Sequence, residues 1–211
     1  FNFTVRSALE GGKNMIEEAK MAGSYVKWQI TRLCESQNES SVRAELAKLR
    51  RGIGKSPGSM PELWDMTLAQ LPEALSGKGD TPSRGEWAVY IPLTLYALHQ
   101  QGKDIKTQCM HKDGVSLGAA AGSLVDSDDN MTRIKRRFDA AATSDSLDEF
   151  VHHLRGLVQL LKAEDKPLDY SALAEDIYRF QSAYQRDSIR LSWGRDFYRQ
   201  LRNSDNKTQT D

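Results

Sequence analysis

The densest group of basic side chains in the sequence lies between Ser41 and Lys55. This segment holds five basic residues and one acid, a net charge of +4. Lysine and arginine gathered in this way can bind the phosphates of a nucleic acid backbone without reading its bases. Apolar residues recur through the segment at helical spacing, so the charges should point outward. We call these candidate contacts the first basic surface: Arg43, Lys48, Arg50, Arg51 and Lys55.

A second basic group lies between Met131 and Phe138, where four basic residues occur without an acid. Ile134 and Phe138 should face inward on a helix, which leaves a charged face opposite them. We call the arginines of this face the second basic surface: Arg133, Arg136 and Arg137. The alternative for both surfaces is a solvated helix face carrying its own salt bridges, as in most charge runs.

Two short patterns are similar to known ligand sites but are incomplete. The run 54–56, Gly-Lys-Ser, resembles the end of a phosphate-binding P-loop, yet Leu49 stands where that motif requires a glycine, and a helix is predicted in place of a strand. Cys109 and His111 have the spacing to begin a metal site, but no second pair of ligands follows at a suitable distance. We therefore expect neither nucleotide binding nor a metal.

Catalytic groups are scattered along the chain. His152 and His153 are neighbours on a predicted helix, so their side chains diverge and cannot bind one ion together. We interpret the pair as part of a polar helix face that can lie beside a phosphate. No nucleophile, base and orienting group form a local signature, so we expect no catalytic activity and no cofactor.

The periodicity of the chain is helical throughout, without the alternation typical of strands. We expect an all-α fold of two packed helical bundles with eight or nine helices. The polar run 103–114 is the best candidate boundary. It divides the chain into an N-terminal bundle (1–112) and a C-terminal bundle (113–202), followed by a polar tail (203–211).

Short sequence patterns predict where several helices begin. The Ser-x-x-Glu pattern of a capping box begins at Ser59, Ser83 and Ser146. The first pattern predicts a helix from residue 60 to about 71, and an apolar stripe predicts a long first helix from Asn14 to about Glu35. The small residues of segment 116–122 should allow two helices to approach closely.

Composition excludes some classes of partner. Of the 211 residues, 29 are basic and 29 acidic, so only local patches can attract nucleic acid. Two cysteines cannot form a disulfide framework, and no apolar run approaches the ~18 residues of a membrane span. We therefore expect a protein of the reducing cytoplasm that does not bind membranes.

The run from Arg43 to Trp64, with its Leu-Arg-Arg-Gly-x-Gly-Lys-x-Pro-Gly core, closely resembles the CasB family, the small subunit of the type I-E CRISPR surveillance complex Cascade. Further motifs are similar to that family in the same order: Ser116-Leu-Gly, Arg136-Arg-Phe, the His-His-Leu-Arg run at 152–155, Pro167-Leu-Asp-Tyr, Asp176-Ile-Tyr-Arg-Phe-Gln and Leu191-Ser-Trp-Gly-Arg-Asp-Phe-Tyr. The resemblance spans roughly residues 14 to 200.

The resemblance implies an all-helical, non-catalytic subunit present in two copies. Its implied partners are a second copy of itself, the backbone and large subunits of Cascade, guide RNA, target DNA and displaced single-stranded DNA. It also implies that both basic surfaces hold nucleic acid, stabilising the paired guide and target and the displaced strand. Relatives often have a basic residue after the Ser-Leu-Gly turn, whereas this chain has Ala119, so that contact is absent or shifted here.

Two other functions compete with this interpretation. A helical adaptor would bind only proteins, and its basic faces would then be solvated surface. A nuclease would need catalytic groups assembled from distant positions. Binding of DNA by the isolated chain, and cleavage of DNA by it, distinguish the three hypotheses.

Overall fold

A computed structural model describes the backbone of residues 2–208 and the side chains of residues 12–127 and 129–204. Nine α-helices lie within this part of the chain, which confirms the all-α class. They are α1 (Asn2–Glu35), α2 (Glu39–Arg51), α3 (Trp64–Thr67), α4 (Arg84–His99), α5 (Leu117–Gly122), α6 (Asp128–Ala142), α7 (Leu147–Ala163), α8 (Tyr170–Phe180) and α9 (Ala183–Thr208). Two short 3-10 helices, Pro61–Leu63 and Glu73–Leu75, flank α3.

Helix α4 is the central helix because its residues are apolar on every side. Every residue from 88 to 97 is buried, and α1, α2, α7 and α8 pack around it. The predicted capping box is confirmed at its start. Ser83 Oγ accepts from the Glu86 amide at 3.0 Å, and the Ser83 amide donates to the Glu86 carboxylate at 2.8 Å.

The small-residue segment brings α5 against α9, as predicted. A Cβ atom at Gly118 would lie 2.0 Å from the carbonyl oxygen of Trp193, a distance no side chain can occupy. Only glycine therefore allows the two helix backbones to meet here. The contact fixes Trp193 in the core, where its ring stacks on Phe150 with centroids 5.4 Å apart.

The hydrophobic core continues across the predicted boundary at residue 112. Helix α8 packs on both α1 and α4, and buried residues from before and after the boundary belong to one cluster. The division into two bundles stays a prediction. Helix α9 continues to Thr208, so the predicted polar tail is helical as far as that residue, and 209–211 lie outside the described residues.

The predicted helix from 60 to 71 is wrong in its length. The chain forms a single 3-10 turn and the four-residue helix α3 instead. Ser59 does not cap this segment, because its hydroxyl donates to the Ser56 carbonyl at 2.6 Å. Glu62 is engaged elsewhere, in an ion pair with Arg51 at 2.7 Å. A capping box needs both side chains, and each has a nearer partner.

Helix α1 begins at Asn2, twelve residues before the predicted start at Asn14, and ends at Glu35 as expected. Its apolar stripe is buried from Ala19 to Leu33. Charged residues such as Lys20, Lys27 and Arg32 lie on the exposed faces of this helix. In the part of the chain that the structure describes, no helix is both long and apolar enough to cross a bilayer.

Candidate nucleic-acid interface

Helix α2 carries the first basic surface. Asn38 caps its N-terminus by accepting a hydrogen bond from the Ser41 amide at 3.0 Å. Val42, Leu46 and Leu49 are buried, and the helix packs on α4. As predicted, this burial turns the basic side chains toward the other faces of the helix.

The turn after α2 is built on glycines. Tyr90 of α4 donates its hydroxyl to the Gly52 carbonyl at 2.9 Å, and a Cβ atom at Gly52 would lie only 2.7 Å from that hydroxyl. Gly54 and Gly58 adopt the left-handed region, with φ of 77° and 81°, which favours glycine. The turn carries Lys55 away from the helix and leaves it exposed.

Arg43 and Arg50 lie together on one side of α2. They line a cleft of about 490 Å³ with the segment 100–106, which contributes Lys103. Desolvation, followed by the positive charges of Arg50 and Lys103, lowers the pKa of Lys162 nearby. Four basic residues and two acids, Glu39 and Asp104, line this cleft, so its net charge is positive.

Lys48 lies in a different cleft. That cleft is lined by three carboxylates, Glu45, Glu62 and Asp65, together with Arg32. Carboxylates that line the same cleft repel an anionic ligand. The structure therefore separates Lys48 from Arg43 and Arg50 and places it in the cleft whose Glu62 pairs with Arg51.

Two members of the first basic surface already have acidic partners. Arg43 pairs with Glu39 at 2.9 Å, one helical turn earlier, and Arg51 pairs with Glu62 at 2.7 Å. Both arginines remain exposed, with 77% and 61% of the side chain accessible. Exposed pairs of this kind contribute roughly 0–1 kcal/mol, so a phosphate can replace the acid.

The second basic surface lies on α6, and the described side chains give it no such partners. Ile134 and Phe138 are buried as predicted, and Phe138 stacks on Phe197 with centroids 4.9 Å apart. Arg133, Arg136 and Arg137 are exposed, and among the described side chains none makes an ion pair or hydrogen bond with them. Three free guanidinium groups on one helix face can each donate two parallel hydrogen bonds to a phosphate.

Helix α7 connects the two surfaces. Lys55 lines a groove with His152 and Arg155 of α7. The next residue is Gly156, where a Cβ atom would lie 3.7 Å from the Arg137 guanidinium. His152 and Gly156 are one turn apart and share a face of α7. A basic path therefore leads from Lys55 over α7 to Arg137.

Arg155 is the basic residue that sequence reasoning missed as a contact. It is exposed, and no described side chain pairs with it. It lies outside the apolar stripe of α7, between the buried Leu154 and Leu157. That position is the one signal in the sequence that could have found it. Its proximity to Lys55, 100 residues away in the chain, is visible only in the fold.

The two cysteines lie side by side although they are distant in sequence. Cys34 and Cys109 have sulfur atoms 3.6 Å apart, and the Tyr96 hydroxyl lies 3.4 Å from the Cys109 sulfur. Both are free thiols. Hydrogen bonds from Cys34 and then from Tyr96 lower the pKa of the Cys109 thiol. The sequence predicted no disulfide framework and did not predict this pairing.

His111 lies with two carboxylates and not with Cys109. Donor atoms of His111, Asp113 and Asp169 lie within 4.8 Å of one another. Each has a structural partner: Asp113 pairs with Lys27 at 2.6 Å, Asp169 Oδ1 accepts from the Ala172 amide at 3.0 Å, and His111 Nδ1 accepts from the Tyr170 amide at 3.1 Å. These contacts tie the loop before α5 to the start of α8, and His111 Nε2 lies 3.3 Å from the second carboxylate oxygen of Asp113.

The described part of the chain is therefore an all-helical protein whose two basic surfaces approach each other across α7. The sequence profile of the family "CRISPR-associated protein Cse2" matches residues 45–198, about three quarters of the chain. The chain belongs to the Cse2 family of CRISPR-associated proteins.

Solved structures of this family are similar to the chain over most of its length. CasB from Thermobifida fusca shares 29% sequence identity and a TM-score of 0.68, over 84% of this chain and 97% of that one. CasB from Thermus thermophilus covers the same shares of the two chains at 24% identity, with a TM-score of 0.62, and that likeness shows the fold. No functionally curated protein matches the chain.

Proposed function

We propose that this chain is a non-catalytic small subunit of an RNA-guided DNA surveillance complex. In that complex it holds nucleic acid by its backbone, stabilising the paired guide RNA and target strand and the displaced DNA strand. Membership in the Cse2 family supports a place in a CRISPR effector complex. The proposed contacts to RNA and DNA rest on the two basic surfaces.

The observation that carries the proposal is that the arginines of the second basic surface have no acidic partner among the described residues. Arg133, Arg136 and Arg137 are exposed on one face of α6, and the described part of the chain gives them no acidic partner. A structural ion-pair network would place carboxylates beside them. Unpaired arginines at this density favour an anionic ligand supplied by another molecule.

Backbone contacts are sufficient for this role. In RNA-guided recognition the base pairs read the sequence, so a supporting subunit needs no base contacts of its own. The exchange of a DNA duplex for an RNA–DNA duplex is nearly balanced in free energy. A few phosphate contacts to the displaced strand can therefore favour the open state.

Docking on neighbouring subunits is supported by helix α9. Tyr184, Leu191 and Tyr198 are exposed and recur every seven residues, opposite the buried Trp193 and Phe197. Exposed apolar side chains in one row favour packing against another helix. The same row is what a pure adaptor would use, so the test must separate DNA binding from protein binding.

The salt dependence of DNA binding provides that test. The isolated chain should shift single-stranded DNA in a mobility assay, with an affinity that falls steeply between about 50 and 200 mM salt through counterion release. Binding that is absent at low salt, or unchanged by salt, would contradict phosphate recognition and leave the adaptor function.

A nuclease assay tests the absence of catalysis. Labelled single strands incubated with the purified chain and a divalent metal should remain intact. Cleavage that persists through a second purification, and that follows the protein across the elution profile, would overturn the non-catalytic part of the proposal.

A further inference from the structure

A groove lies between the glycine turn after α2 and the first two turns of α7. Its volume is about 540 Å³, within the ~300–1,000 Å³ range of small-molecule sites. One wall is formed by the turn residues 53–56, and the other by Leu147, Val151 and His152 of α7. Helix α4 provides the floor with Trp87 and Tyr90.

The walls of this groove are more apolar than phosphate binding requires. Ile53, Trp87, Leu147 and Val151 all line it, and all four are only half-buried. A phosphate needs cationic donors and gains nothing from apolar walls. A flat aromatic ring, in contrast, is stabilised by contact with apolar and aromatic side chains. The lining therefore fits a planar, weakly polar group.

The rim of the groove is cationic. Lys55 and Arg155 lie on it, both are exposed, and the described residues offer neither of them an ion-pair partner. The lining holds one acid, Asp148, which is exposed in the first turn of α7. Two free cations therefore outweigh it, and Arg137 extends the positive charge beyond Gly156.

We propose that this groove holds one unstacked base of a single-stranded nucleic acid. The base lies against Trp87 and between Ile53 and Val151, and the phosphates on its two sides contact Lys55 and Arg155. This inference rests on the proposed function, because it assumes that a strand follows the basic path. It adds a contact to the base itself, which is independent of base identity since every base has a planar face.

Such a contact would anchor the strand at one nucleotide. Phosphate contacts alone allow a strand to slide, because each phosphate is equivalent to the next. A base inserted in a groove must leave it before the strand can move. The groove would therefore hold the displaced strand in place between the two basic surfaces.

The test compares two single strands of about ten nucleotides, a length within known site sizes. One carries thymine on every sugar, and the other has abasic sugars throughout with the same phosphates. We expect the wild-type chain to bind the thymine strand about tenfold more tightly, since stacking of one base supplies a gain of that order. A uridine RNA strand of equal length shows whether the groove prefers DNA or RNA.

Two groove-filling variants, Val151→Trp and Leu147→Trp, should remove this preference while the abasic strand is still bound. The use of two positions guards against one variant failing to fold, which circular dichroism detects. The double variant Lys55→Ala/Arg155→Ala should weaken binding of both strands. Arg202→Ala removes an exposed arginine of α9 that pairs with no described side chain, and it is the matched control for these cations.

The outcomes separate the groove from the proposed function. Equal binding of the thymine and abasic strands by the wild-type chain would overturn the groove inference and leave phosphate binding intact. Failure of the wild-type chain to bind either strand at low salt would overturn the proposed function itself. A base preference that both folded groove-filling variants retain would place the base elsewhere and also contradict the inference.

Discussion

The two basic surfaces have similar composition and different surroundings. On the first, Arg43 and Arg51 have acidic partners, and Lys48 lies in a cleft lined by carboxylates. On the second, the described residues provide no partner for any of the three arginines. The difference shows that the number of basic residues in a segment does not measure the charge that is free to bind a ligand.

The difference arises from the ion pairs that the nearby acidic side chains form. Glu39 and Glu62 flank α2 and reach its arginines. On α6, Asp139 pairs with Lys135 one turn earlier, and Asp129, one turn before Arg133, makes no ion pair with it. Lys135 thereby engages one acid that could compete for the second basic surface. We therefore expect the second surface to contribute more to nucleic acid binding than the first.

The largest loss should follow replacement of the whole second surface. In Arg133→Ala/Arg136→Ala/Arg137→Ala, three phosphate contacts disappear without release of a local ion pair. At about 0.1 M salt this should weaken single-stranded DNA binding about 100-fold, and the slope of log affinity against log salt should fall by about 2. Titrations at several salt concentrations measure both quantities.

A triple variant on α9 is the matched control. Arg195→Ala/Arg199→Ala/Arg202→Ala removes the same charge from another helix, and Arg199 is already paired with Asp196 at 2.9 Å. Its effect should be much smaller. Equal losses in the two triple variants would show that binding follows total charge and would remove the special role of α6.

A smaller loss is expected from charge reversal on the first surface. Arg50→Glu/Arg51→Glu should reduce protection of the displaced strand in the assembled complex, with about 20-fold more complex needed for half protection. The effect is limited because Arg51 must first leave Glu62, and Arg50 is half-buried. An unchanged footprint, with circular dichroism showing a folded chain, would remove both residues from the interface.

Removal of the competing acids should reduce the difference between the surfaces. Glu39→Gln/Glu62→Gln frees Arg43 and Arg51 and should raise the affinity for single-stranded DNA about fivefold, which corresponds to about 0.5 kcal/mol for each exposed pair. Asp145→Asn is the control, since it removes an exposed acid beside Arg190 on α9. A gain of equal size in the control would indicate only a general effect of net charge.

The helix faces could be predicted from the sequence because they depend on local periodicity. The buried stripes of α2 and α6, the capping box at Ser83 and the close packing at Gly118 all follow from neighbouring residues. The capping box predicted at Ser59 failed for a non-local reason. Its glutamate, Glu62, pairs with Arg51 across the glycine turn, and no spacing rule includes that contact.

The groove could not be predicted because it joins distant parts of the chain. Lys55 and Arg155 meet only when α7 packs on α4 and the turn after α2 lies beside both. Trp87 lies in the first turn of the central helix α4, yet it is only half-buried at this groove. Periodicity identifies which face of a helix is buried, but it does not identify which helix covers it.

The smallest effect is expected for Lys48. This residue tests, within one helix, the comparison between cations with acidic neighbours and cations without them. It was predicted as a contact from its place in the basic segment, yet it lines the cleft of Glu45, Glu62 and Asp65. Carboxylates lining this cleft repel a phosphate, so Lys48→Ala should change DNA affinity less than about twofold, against about fivefold for one free phosphate contact. Lys55→Ala is the matched control for a free lysine. If titrations at about 0.1 M salt show equal losses for the two variants, the acidic cleft does not screen Lys48, and local pairing would not explain the difference between the surfaces.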